Sequence, residues 1–96
     1  MELIATHLNR LEFILEEKIM KILTVQTWRT GNNNNSMEKL EWEAAEFDSR
    51  ECNDGTIILT VEDLEENSCY DVRVLCEADK GKIMFSTKNQ LHTEGK

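Results

Sequence analysis

The side chains with chemistry to offer in this chain are three thiols, two imidazoles and a surplus of carboxylates. Cys52, Cys69 and Cys76 are odd in number, so they cannot all pair within the chain. No two of them stand at a Cys-x-x-Cys spacing, and His7 and His92 lie at opposite ends, so no zinc site is expected. Neither histidine has a neighbouring Ser or Cys to form a local nucleophile motif. No Gly-x-x-x-x-Gly-Lys cradle for phosphate occurs either. The 19 Asp and Glu residues fall mostly at outward strand positions or in turns, as on a solvated surface. The expectation is a chain with no catalytic residue, no metal and no cofactor: not an enzyme.

Charge bounds the partners. A net charge of −8, with no Lys/Arg cluster to offset it, repels a phosphate backbone, so nucleic acid is not expected. No stretch approaches the roughly 20 apolar residues of a membrane helix, so no membrane is expected. Ninety-six residues suffice for one domain with a single core. The opening Met1-Glu2 lacks a basic segment followed by an apolar run, and the thiols are unpaired. Both features point to a cytoplasmic or otherwise intracellular parent. The triplet Asn34-Asn35-Ser36 is a glycosylation acceptor should the parent be secreted, so an extracellular setting stays open.

The elements follow from a two-residue period. Leu59 and Val61 point one way and Thr60 and Glu62 the other. Tyr70, Val72, Val74 and Cys76 point inward while Asp71 and Arg73 face solvent. Two readings compete for residues 1–23. Ile4, Leu8, Leu11, Leu15, Ile19 and Ile22 recur at helical spacing, yet Leu11, Phe13 and Leu15 also alternate. Residues 31–36, Gly followed by four Asn and Ser, form an exposed loop, and residues 48–55 form another that ends in Asp54-Gly55. A strand is expected over 38–47, with Leu40, Trp42 and Ala44 on one face, and another over 83–92 after a turn at 79–82.

The run Leu64-Glu65-Glu66-Asn67-Ser68-Cys69-Tyr70 resembles the fibronectin type III signature, in which Leu and Tyr bracket a turn written Leu-x-Pro-Asn-Thr-x-Tyr. The resemblance spans about residues 8–94 and is most specific around Leu64 and Tyr70. It implies an all-β, two-sheet antiparallel sandwich of about seven strands, immunoglobulin-like, preceded by an extension at residues 1–7. It also implies a tyrosine corner, in which the Tyr70 hydroxyl is anchored on nearby backbone. The strand reading of the first 23 residues is thereby favoured, with strands over 8–15 and 19–28. Trp28 would end the second of these and plug the core. Its parity matches Gln26 and Thr24 rather than Val25, so either a bulge precedes it or it is not the core Trp. Trp42 falls where the family places a core aromatic. The prolines that protect strand edges in the family are missing, since the chain has none.

Function then reduces to surfaces. Leu75 has outward parity on its strand, and Ile83-Met84-Phe85 are three consecutive apolar residues, at least one of which must face away from the core. Leu75, Ile83, Met84 and Phe85 are the candidate protein-binding residues. The expected role is a non-catalytic interaction module, an adaptor or scaffold element within a larger protein. Its partner is another protein or a neighbouring domain. The alternative is a structural spacer, or a homodimer built through the N-terminal segment.

Overall fold

The computed structural model describes residues 1–30 and 42–95. The Asn-rich run at 31–36, the glycosylation triplet and the first part of the strand expected over 38–47 lie outside the described residues. Those described form nine strands and no helix: β1 (Glu2–Thr6), β2 (Leu11–Leu15), β3 (Lys21–Thr30), β4 (Glu43–Ala44), β5 (Glu46–Glu51), β6 (Ile57–Glu62), β7 (Cys69–Ala78), β8 (Gly81–Ser86) and β9 (Leu91–His92). They make two antiparallel sheets, one ordered β1-β2-β6-β5. The other is ordered β4-β3-β7-β8, with β9 on β7 beyond β8. No helix of the described residues is long and apolar enough to cross a membrane.

Alternation builds the core. Leu11, Phe13 and Leu15 of β2, with Leu59 and Val61 of β6, face Val25 of β3 and Tyr70, Val72, Val74 and Cys76 of β7. All are buried. Each strand sends every second side chain into the same layer, so the polar residues between them keep their water. The helical spacing of the first 23 residues is thereby resolved in favour of strands. Ile4 is 50% exposed while Leu11 and Leu15 are fully buried, so that set shares no common face.

Three expectations are corrected and one open alternative is decided. Residues 1–7 are not an extension outside the sandwich, because β1 pairs with β2 from Glu2↔Ile14 to Thr6↔Leu11. The strands expected over 8–15 and 19–28 run instead over Leu11–Leu15 and Lys21–Thr30, and they lie in different sheets, β2 pairing with β1 and β6 and β3 with β4 and β7. The stretch 48–55 is largely strand, since β5 pairs with β6 from Glu46↔Glu62 to Glu51↔Ile57. Its charged residues read as loop but belong to a sheet edge, where charge is tolerated and useful. The alternative left open for Trp28 is decided: it does not plug the core. The register shift in β3 falls between Ile22 and Thr24, before Val25, so Trp28 keeps the outward parity of Gln26.

Candidate binding face

The outer face of the five-stranded sheet is assembled row by row from its register. Lys21, Glu77 and Lys82 make one row across β3, β7 and β8; Thr24, Leu75 and Met84 the next; Gln26, Arg73 and Ser86 the next. Trp28 follows opposite Asp71. Trp42, just before β4, brings its ring to 5.6 Å from that of Trp28, edge to face with 76° between the planes. The Arg73 guanidinium lies over Trp42, 4.2 Å from its centroid, and its Nε donates to Gln26 Oε1 at 2.7 Å. Stacked on a π face and fixed by a hydrogen bond, this cation is held in one orientation on the outer face.

The four residues expected to bind are split between two faces. Leu75 and Met84 are direct partners and share the outer face, where Met84 is 50% exposed. Phe85 pairs with Val74 and packs partly buried against the core. Ile83 pairs with buried Cys76, so it has inward parity but stands at the rim, 40% exposed. Trp42 is the residue that the sequence reading sent inside and the fold puts outside; for Trp28, whose place that reading left open, the fold also gives the outer face. The signal was present in the parity of Trp28, which matches Gln26 and opposes Val25.

A second feature is a cleft of about 330 Å³ at the end of the sandwich where β6 turns into β7. Its lining includes Leu64, Tyr70 and Thr27, with Arg29 and five carboxylates, Glu43, Glu46, Glu62, Asp63 and Glu65. The turn is held by Asp63 and Asn67, at φ 60° and 51°, and by the backbone N–H of Glu65, which donates to the Tyr70 hydroxyl at 2.8 Å. Burial raises the Tyr70 pKa above its ordinary value, and the bond from Glu65 pulls it partly back. Thr93 seals the underside: its hydroxyl donates to the Glu65 carbonyl at 2.7 Å and accepts from the Ser68 N–H at 3.0 Å. These bonds stiffen the corner and leave its carboxylates facing water.

The thiols and imidazoles are spread over both sheets. Cys76 is buried, which raises its pKa, whereas Cys52 and Cys69 are half-buried. Cys69 stands opposite His92 across β7 and β9, but the His92 Nδ1 is engaged with the Thr93 carbonyl at 2.6 Å. Neither residue lines the corner cleft. His7 Nε2 lies 2.6 Å from Glu12 Oε2, bracing the turn between β1 and β2. No group of three or more His, Cys, Asp or Glu suited to a metal ion occurs among the described residues. Compared with known proteins, the chain matches no family model, no curated sequence and no solved structure.

Proposed function

We propose that this chain is a non-catalytic protein–protein interaction module, an immunoglobulin-like sandwich of the fibronectin type III kind, and that it binds through the outer face of its five-stranded sheet. The observation that carries this reading is the contiguity of Leu75 and Met84 with the Trp42–Arg73 stack. Apolar side chains beside a pre-oriented arginine and two indoles form the combination that dominates binding energy at protein interfaces. The fold assignment is supported by the Tyr70 corner and by the strand order. β1-β2-β6-β5 corresponds to an A-B-E-D sheet, and β4-β3-β7-β8 to a C′-C-F-G sheet. A net charge of −8 favours protein over nucleic acid as the partner, and the free thiols favour a reducing compartment.

The test is partner capture from lysate by the wild-type chain, by Leu75→Glu and by Thr60→Lys, the last on the outer face of the opposite sheet. Capture lost with Leu75→Glu alone, at unchanged thermal stability, supports the reading. Equal capture by all three overturns it. A homodimer is favoured by one observation only: the edge strand β1 exposes Leu3 and Ile4, at 37% and 50%. Light scattering on the wild type and on Leu3→Lys decides that alternative, which requires a dimer mass in the first and a monomer in the second.

A further inference from the structure

Among the described residues five strands have an unpaired edge: β1, β5, β4, β8 and β9. Four of them carry features that discourage a further strand from adding. β1 breaks its register between Leu3 and Ala5. β5 is lined with Glu46, Asp48, Arg50 and Glu51. β4 and β9 are only two residues long each. β8 differs. Its register with β7 runs unbroken from Arg73↔Ser86 to Ala78↔Gly81, it contains no proline, and Ile83 and Met84 are 40% and 50% exposed.

The main chain of β8 can be sorted from one bond. The Thr87 N–H donates to the Val72 carbonyl at 3.0 Å. Antiparallel pairs alternate between bonded and non-bonded, so Phe85 and Ile83 bond inward to β7. The main-chain groups of Lys82, Met84 and Ser86 therefore point to the edge, which has no strand on it among the described residues. Charge selects the occupant. Residues 80–93 carry Lys80, Lys82 and Lys88 and no carboxylate, in a chain whose net charge is −8. Two copies meeting at β8 would set like charges side by side, whereas an acidic strand would find attraction there.

We propose that β8 is a docking edge for an extended acidic segment of another protein, added antiparallel as a further strand of the five-stranded sheet. Its carboxylates would lie beside Lys82 on the outer face, and its alternate apolar side chains beside Ile83 and Phe85 at the inner rim. This mode uses the edge of the sheet rather than its face. Met84 is common to both, with its side chain on the face and its main chain at the edge.

The probe is an end-capped peptide of about eight residues alternating Glu and Val, with a Lys-for-Glu peptide as its counterpart. Binding to the full chain is followed by amide hydrogen exchange resolved by residue. The Glu peptide should slow exchange at Lys82, Met84 and Ser86 by about tenfold or more and leave Ile83 and Phe85 unchanged, and the Lys peptide should do neither. Lys82→Glu should weaken the Glu peptide about threefold to fivefold at low salt. Met84→Pro, which removes an edge-facing N–H, should abolish binding. Thr60→Ala, on the outer face of the opposite sheet, should bind the peptide as well as the wild type does. Should Met84→Pro fail to fold, Lys82→Glu still decides. No protection at millimolar peptide, equal binding of the Lys peptide, or β8 amides protected by self-association without peptide would overturn the proposal.

Discussion

Arg73 and Trp42 are stacked on the solvent side of the sheet, the guanidinium carbon 4.2 Å from the ring centroid, while Gln26 fixes the same guanidinium from β3. A cation in that position shields one indole face from water and is worth about 0.5–1 kcal/mol at a part-exposed site. The chain has two tryptophans, and both belong to this cluster, so its fluorescence reports the cluster directly. Arg73→Ala should shift tryptophan emission to the red and increase acrylamide quenching. Unchanged quenching would place the guanidinium elsewhere in solution.

Tyr70 links the turn to the core through the 2.8 Å bond its hydroxyl accepts from the Glu65 N–H. Tyr70→Phe should lose about 1 kcal/mol, read as a fall in Tm of about 4–8 °C for a domain of this size. The pKa of this phenol is raised above its ordinary value of 10.0 by burial. The neutral form is therefore favoured in the fold, so its contribution is complete below the ordinary tyrosine range and is lost as pH rises through the folded value. Tyr70→Phe should flatten the alkaline limb of stability against pH. The limb should not vanish, because burial raises the Cys76 thiol as well.

The three thiols differ in access, and reactivity should follow access. Cys76 is fully buried between the sheets, whereas Cys52 and Cys69 are half-buried. Iodoacetamide applied to the native protein should alkylate Cys52 and Cys69 and spare Cys76 until the fold opens. Mass spectrometry of the digested protein reads the order. Early labelling of Cys76 would contradict the packing of β7.

How far the chain could be read from sequence depended on which faces were buried. β7 buries one face and wets the other, so Tyr70, Val72, Val74 and Cys76 declare themselves by alternation alone. β1 and β5 are edge strands with little burial. Asp48, Arg50 and Glu51 give no apolar period to find, so the part of β5 from residue 48 on reads as loop. Missing β1 displaced the next two strands by one place and left the place of Trp28 open, although its parity with Gln26 argued for the outside. The sequence leaves Met84 and Phe85 as alternative neighbours of Leu75; the turn at Asp79 and Lys80 fixes the register of β7 on β8 and sets Met84 opposite it. Trp42 and Arg73 lie 31 positions apart in the chain, and no local pattern could have joined them.

The central claim is that a partner covers this face. Oxidative footprinting of the complex eluted natively from capture tests it most directly, because Trp28, Trp42 and Met84 report the face. Met20, 67% exposed and outside that face, serves as the internal control. The account predicts that partner binding slows oxidation of Trp42 and Met84 severalfold and leaves Met20 unchanged. Protection of Met20 with Trp42 and Met84 oxidised as in the free chain would contradict it.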